Sequence, residues 1–392
     1  MTVTIWYHDP EEVNPKTSFV GLSEVLKSAH RRDWTEAPRG PITDLFDYAR
    51  PDVVLSVDGT PVCSLELTNM NPSGHNIPQR FSCMARAAEL GVPAILYYPE
   101  ACRRRFSDPN VRYLNIRVPM ANIRLIETYD TPSLSVFWPT DQETKLPTTS
   151  QYDHQFLADL MELFIQWKDD KNFVLENPLF TKAVREMKDT ISRYKGSSYK
   201  KNKTTRQFFP NGFPQTYAGE HNGKSVFIDP PGGAIMLETS ALISKLENDY
   251  EVESLREWES AKRILSRRKY SLVYKGTLSS KGLDSEHPYP GHLTMLDVLY
   301  CREKGGRTHS DREINVVYAL PAKIDSFVNR IENSISNLDK KPTATYIVDT
   351  FADLLLLDGG VVFGKPQRAK SANPHRVLGE GRWHKFPPVK RY

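Results

Sequence analysis

The stretch that decides the reading is Pro51-Asp52-Val53-Val54-Leu55-Ser56-Val57-Asp58-Gly59-Thr60-Pro61-Val62-Cys63-Ser64-Leu65-Glu66-Leu67-Thr68. Val53 to Val57 and Pro61 to Leu67 are β-rich runs, and the Asp58-Gly59 pair between them accepts the positive φ that a tight hairpin requires. Such a hairpin sets Asp52 at the mouth of one strand and Glu66 within the next, so both carboxylates can converge at one edge of a sheet. A mid-strand Glu flanked by Leu65 and Leu67 is costly to bury without a partner. Two such acids make a hard-oxygen site for a divalent cation such as Mg2+, which keeps several waters and binds through one or two carboxylates plus phosphate. A cation there could polarise a phosphodiester and deprotonate a water for in-line attack.

Working outward, a polar loop from Asn69 to Gly74 leads to Asn76, which can cap a helix that tolerates Pro78 in its first turn. Phe81, Met84, Ala85 and Ala88 mark the buried face of that helix, and Gly91 supplies its stop. Val92 to Tyr98 is a nearly all-apolar run, as expected of a strand covered on both faces. Upstream, Phe19, Leu22, Val25, Leu26 and Ala29 recur at helical spacing, which predicts a helix from Ser18 to His30. Glu24 lies opposite Phe19, Leu22 and Leu26 on that wheel and reads as a surface carboxylate. His75, in a loop rich in Asn, Pro, Ser and Gly, reads as a turn or surface residue, with reach toward a metal or a scissile phosphate as the alternative.

Asp130 to Ser150 turns to Pro, Thr, Asp and Ser without periodicity and reads as a boundary. The domain organisation expected is therefore an α/β domain over 1–140, a helical connector with a basic loop over 141–206, and a mixed α/β or helical region over 207–392. In the last region, strands are expected near Ser225 to Asp229, Tyr270 to Lys275 and Glu313 to Leu320. Helices are expected over Ser240 to Ser266, Gly291 to Glu303 and Ile324 to Leu338. Asp297 reads as a helix carboxylate that pairs with Arg302 or faces solvent.

The chain has 392 residues, 39% apolar and 26% charged, enough for more than one core and incompatible with collagen-like or wholly disordered chains. Its net charge of +4 does not by itself identify a polyanion partner. No apolar run reaches the roughly 18 residues that cross a bilayer, so no membrane role is expected. The start, Met1 to Pro10, lacks the pattern of a signal peptide. Cys63, Cys83, Cys102 and Cys301 form no C-x-x-C pair, and a reducing cytoplasm fits them best.

The Pro51 to Pro99 stretch resembles the PD-(D/E)XK nuclease superfamily, the restriction-endonuclease-like group, in motif and in element order. The family pattern is Pro-Asp, a hairpin, then Asp or Glu, any residue and Lys on the second strand, followed by a helix and a strand. The resemblance implies a mixed sheet flanked by helices, with Asp52 and Glu66 as metal ligands and the backbone carbonyl of Leu67 joining them. It implies Mg2+ as cofactor, with Mn2+ as a substitute.

Thr68 departs from the pattern, which has Lys at that place. A Thr hydroxyl can orient a water but cannot stabilise negative charge, and no Lys occurs between Lys27 and Lys145 to replace it. Gln79 and Arg80, one turn into the following helix, are the candidates for the missing functions, Arg80 as the phosphate clamp because its planar fork can bind two phosphate oxygens.

The basic segments Lys195 to Arg206 and Lys365 to Tyr392 interleave Tyr, Phe and Trp with positive charge, which suits phosphate contact and base stacking. Lys200, Lys201, Lys203, Arg206, Arg382 and Lys385 are the DNA-contacting candidates, and residues 207–392, with their basic tail, read as a DNA-recognition or assembly domain. The function implied is a metal-dependent endodeoxyribonuclease of the restriction or antiviral defence type. It would act on double-stranded DNA as a homodimer, with a companion methyltransferase as a further partner. Thr68 keeps open a second reading, a catalytically inactive nuclease-fold protein that binds nucleic acid or assists assembly.

Overall fold

The Asp58-Gly59 hairpin forms as its chemistry dictates: both turn residues have positive φ, 47° and 78°, between strands β3 (Val53–Val57) and β4 (Thr60–Leu67). The computed structural model describes residues 1–69, 76–103, 106–194, 216–217, 219–221, 224–226, 234–250, 258–275, 290–303, 305–307, 311–323, 353–358, 360–363 and 384–385. The chain divides into two units, Met1–Ser198 and Tyr199–Tyr392, each of mixed α/β architecture.

The first unit is built on a sheet of order β2-β1-β3-β4-β5-β8. Its other strands are β1 (Val3–Tyr7), β2 (His30–Asp33), β5 (Ala94–Pro99) and β8 (Ser133–Trp138). A separate short ribbon pairs β6 (Ala101–Arg103) with β7 (Val111–Tyr113). β3 runs antiparallel to both β1 and β4, whereas β4, β5 and β8 are mutually parallel. β5 is buried along its whole length, as its unbroken apolar sequence requires of a central strand.

Helix α1 (Glu24–Ser28) and α2 (Pro41–Asp44) precede the hairpin, and α3 (Asn76–Gln79) and α4 (Phe81–Glu89) follow it. Phe81, Met84, Ala85 and Ala88 of α4 are buried over β4 and β5, and Gly91 stops the chain at φ 71°. Beyond α5 (Arg117–Tyr129), helices α6 (Gln155–Phe164), α7 (Lys171–Glu176) and α8 (Pro178–Tyr194) complete the unit. Leu157, Leu160, Phe164, Trp167 and Met187 join Ile5, Leu55, Leu65 and Ile95 in one core.

Several expectations need correction. The helix predicted from Ser18 to His30 is broken: a 3-10 turn at Phe19–Leu22 gives way at Ser23, whose Oγ accepts from the Leu26 amide at 3.2 Å and starts α1. From His30 the chain pairs parallel with β1 instead. Asn76 is the first residue of α3 and not its cap, and the helix is interrupted at Arg80. The supposed boundary at Asp130 to Ser150 contains β8. Ser133 and Ser135 sit buried there because the buried Asn122 of α5 bonds both hydroxyls, at 3.0 and 2.9 Å. The expected helical connector over 141–206 is not a separate body, since α6 to α8 bury their apolar faces in the core of the first unit.

In the second unit, the described strands form a sheet of order His384–Lys385, Gly360–Phe363, Leu354–Asp358, Ile314–Lys323, Tyr270–Lys275, Ala234–Glu238 and Thr216–Tyr217. Helices cover Thr239–Tyr250, Trp258–Leu265 and Pro290–Leu296, the last running into a π-helical turn, Asp297–Cys301. Asp297 is fully buried and accepts from Arg302 Nε at 2.8 Å and Arg312 Nε at 2.6 Å, and Arg312 also reaches Asp353 at 3.1 Å. The charges of this cluster satisfy one another, which makes it a structural device. The helix expected at Ile324 to Leu338 lies outside the described residues, as do His75, Lys200, Lys201, Lys203, Arg206 and Arg382. Lys385 lies in the strand His384–Lys385, opposite Val362. No described helix is long and apolar enough to cross a membrane.

Candidate active site

A two-residue hairpin loop without irregularity would place Asp52 opposite Leu65 and send Glu66 to the other face of the sheet. The observed register prevents this. Val57 pairs with Thr60 and Ser56 with Pro61, but Leu55 pairs with Cys63, so Val62 is an extra residue in β4. This bulge falls beside Pro61, which has no N–H to give a regular ladder. Its consequence is that Val53 lies opposite Leu65 and the next pair is Asp52 and Glu66. Because side chains alternate along a strand, one inserted residue turns two acids on opposite faces into neighbours on one face.

The two carboxylates meet at a single cationic nitrogen. Arg80 Nη1 donates to Asp52 Oδ2 at 2.9 Å and to Glu66 Oε2 at 2.6 Å. Asp52 Oδ2 also accepts from the Leu67 amide at 2.7 Å, which fixes the acid against the end of β4. The break between α3 and α4 is what frees Arg80 for this position: its amide closes a turn on the Ile77 carbonyl, and α4 begins one residue later. Glu66 is 2% exposed and its second oxygen, Oε1, is buried without a hydrogen-bond partner.

A third acid, Glu12, joins them. The β1 to β3 ladder continues through a bond from the His8 amide to the Asp52 carbonyl at 3.1 Å, so the 3-10 turn Pro10–Val13 lies next to Asp52. Glu12 Oε2 is buried without a partner. Burial pushes the Glu12 carboxyl up to about 8, with the Asp52 and Asp9 charges adding to the effect and Arg80 opposing it. Burial likewise pushes Glu66 up to about 8, Asp52 adding to it, while Arg80 and the nearby Cys83 thiol oppose it. For Arg80, burial works against its charge but is outweighed by Glu66 and then Asp52, so its pKa is raised.

With all three acids ionised and Arg80 charged, the cluster carries two negative charges in excess. A hard divalent cation matches that deficit, and the partnerless buried oxygen of Glu66 is the kind of donor it takes. The residues therefore fit such an ion, held by Asp52 and Glu66 with the Leu67 carbonyl and completed by water or phosphate oxygens. Among the described residues, no three of His, Cys, Asp and Glu form a group that could hold a metal on their own.

Beside the cluster lies a cavity of about 660 Å3. Arg80, Leu67, Thr68 and Glu12 line it, whereas Asp52 and Glu66 sit behind Arg80. Thr68 extends β4 by donating its amide to the Tyr97 carbonyl at 2.9 Å. Gln79 ends α3 without lining the cavity, and its carbonyl accepts from Ser82 Oγ at 3.4 Å. Of the residues singled out in the sequence, the fold thus brings together Asp52, Glu66, Leu67, Thr68 and Arg80, and leaves Gln79 aside. Glu24 is exposed on α1 beside Lys27.

Five residues of the site were not found in the sequence: Glu12, Tyr97, Arg103, Trp138 and His154. Asp9-Pro10-Glu11-Glu12 does carry a turn signal, since Pro10 opens the turn and Asp9 Oδ1 accepts from the Glu11 amide at 3.0 Å. Nothing local, however, ties that turn to Asp52. No family model matches the chain, and no curated protein or solved structure matches it.

Proposed function

We propose that this chain is a metal-dependent endodeoxyribonuclease of the restriction or defence type, hydrolysing phosphodiesters of double-stranded DNA with Mg2+ or Mn2+. The observation that carries the reading is the convergence of Asp52 and Glu66 on one cationic centre at the edge of a cavity, with a buried Glu66 oxygen left for a ligand. The bound cation would supply a lowered water pKa and neutralise charge on the phosphoryl oxygens.

The chain's own residues do the rest. Asp52 and Glu66 would hold the ion, and the bulge at Val62 keeps them on one face. Arg80 bridges both carboxylates here; its guanidinium, which also lines the cavity, would hold a phosphate and meet the charge that develops in the transition state. Thr68, at the cavity wall, orients the attacking water through its hydroxyl. The lysine functions expected of such a site are in this way divided between Thr68 and Arg80. Contact with the duplex belongs to the basic segments around Lys200, Lys201, Lys203, Arg206, Arg382 and Lys385, and duplex cleavage calls for a homodimer because each site cuts one strand. A cytoplasmic location and a companion methyltransferase belong to the same reading.

One observation favours a second reading. Arg80 already bridges both carboxylates, so the cluster could serve as a structural ion triad in an inactive nuclease fold that only binds nucleic acid. Incubating plasmid and phage DNA with and without Mg2+ or Mn2+, for wild type and Glu66→Ala, separates the two. The nuclease reading expects metal-dependent products that vanish in the variant. Absence of any metal-dependent product, with DNA held equally well by the variant, favours the binder.

A further inference from the structure

Arg103 ends β6 and lines the cavity beside the acid cluster, and the roles assigned above leave it unused. Among the described residues its guanidinium has no hydrogen-bond or ion-pair partner, and its Nε is buried. A cation whose nitrogen is removed from water without a partner is costly, and an incoming anion is what offsets the cost. The Arg103 amide donates to the Lys145 carbonyl at 2.8 Å, which ties β6 to the loop over 139–149.

β8, β5 and the turn Gln151–His154 also build an aromatic wall in the same cavity. Trp138 stacks on Tyr97 with ring centroids 4.8 Å apart and planes at 23°, and meets His154 edge to face at 4.8 Å. The Tyr97 hydroxyl bonds His154 Nδ1 at 2.7 Å, and Trp138 Nε1 donates to the Thr148 carbonyl at 3.0 Å, so the three rings are locked in place. Trp138 remains half-buried, which leaves part of its indole open to the cavity it lines. Thr17, Thr148 and Thr149 add hydroxyls to the same lining.

We propose that this cavity is a nucleotide subsite: Arg103 takes a phosphate, and the half-buried Trp138 indole, backed by the buried Tyr97 and His154, receives one unstacked base. A cavity of this size suits an enclosed group rather than a surface contact, and a base paired and stacked inside a duplex has no face to offer such a wall. The substrate is therefore a strand that is single-stranded or has one base extruded beside the scissile phosphate. The choice of nucleic acid as ligand rests on the nuclease reading.

The test is fluorescence anisotropy of the full chain in EDTA, so that binding is read without cutting. The probes are a labelled single-stranded oligonucleotide, the matched duplex of the same sequence, and a nucleoside monophosphate as competitor. Wild type should prefer the single strand, and Arg103→Ala and Trp138→Ala should each weaken it by about tenfold, the size of a lost stacking or phosphate contact. Arg103→Ala should also reduce the salt slope by about one.

Single-strand binding within about twofold of wild type in both variants, folded by circular dichroism, overturns the subsite. If Trp138→Ala fails to fold, Arg103→Ala decides alone, since its side chain has no partner to lose. Competition by the monophosphate as strong as by the oligonucleotide also overturns the strand assignment, in favour of a free nucleotide. Loss of binding in the variants of a protein that never cuts would sink the nuclease reading and leave the subsite standing. Metal-dependent cutting with unchanged variants would sink the subsite alone.

Discussion

Replacing Arg80 by Met keeps most of the apolar stem and removes the cation that Asp52 and Glu66 share. Breaking a buried ion pair costs about 3–5 kcal/mol because a charge is left buried and alone. Two features reduce that figure here. The Arg80 side chain is 34% exposed, so solvent already screens part of the pairing. Glu66, already pushed up to about 8 with Arg80 opposing the shift, takes a proton more readily still once Arg80 is gone, so no bare charge need stay buried. About 2–3 kcal/mol remains, which for a unit of this size lowers Tm by about 4–12 °C in EDTA.

The account then makes a distinctive demand: with Arg80 gone, its competitor for the carboxylates is gone as well, so millimolar Mg2+ or Mn2+ should raise the Tm of Arg80→Met more than that of wild type. Thermal unfolding followed by circular dichroism, with and without metal, reads both effects. A variant as stable as wild type in EDTA would refute the shared contact. A loss of stability that neither metal reduces would show that the acids serve Arg80 only.

The raised pKa values predict a pH dependence. Between about 4.5 and about 8 the folded protein holds protons on Glu12 and Glu66 that the unfolded chain has released, so stability in EDTA falls as pH rises through that window and levels off above it. Urea titrations across pH should show the slope, and Glu12→Gln with Glu66→Gln should flatten it. Gly59→Ala, at φ 78°, should cost about 1 kcal/mol by forcing a Cβ into the left-handed region, read as a lower urea midpoint. Asp297→Ala should take the Asp297 carboxylate from the buried Arg302 and leave Arg312 with Asp353 alone, and the second unit should unfold about 3–5 kcal/mol more easily, which fluorescence and circular dichroism in urea would reveal.

The parts of the fold legible in the sequence were those fixed by local chemistry. Asp58-Gly59 gave the hairpin, the apolar run into Tyr98 gave the central strand, and Gly91 gave a helix stop. The parts that were not legible depend on partners distant in sequence. β8 hides its strand character because Ser133 and Ser135 are polar yet buried, and their partners, Asn122 and Tyr98, lie elsewhere in the chain. The broken helix at Ser23 turns on a hydroxyl competing for the Leu26 amide, which periodicity does not register.

The site divides the same way. Asp52 and Glu66 were visible as a pair, but their convergence depends on the extra residue at Val62, and a plain reading of a two-residue loop would have separated them. Glu12 reaches the cluster only through the pairing of β1 with β3, and Arg103, Trp138 and His154 reach the cavity through β6, β8 and the turn after 149. None of those approaches has a local signature.

Mn2+ titration followed by electron paramagnetic resonance, on wild type, Asp52→Asn and Glu66→Gln, bears most directly on whether the hairpin holds an ion. The account predicts one bound Mn2+ per chain in wild type and its loss in both variants. Binding that is absent from wild type, or that survives both substitutions, would contradict it.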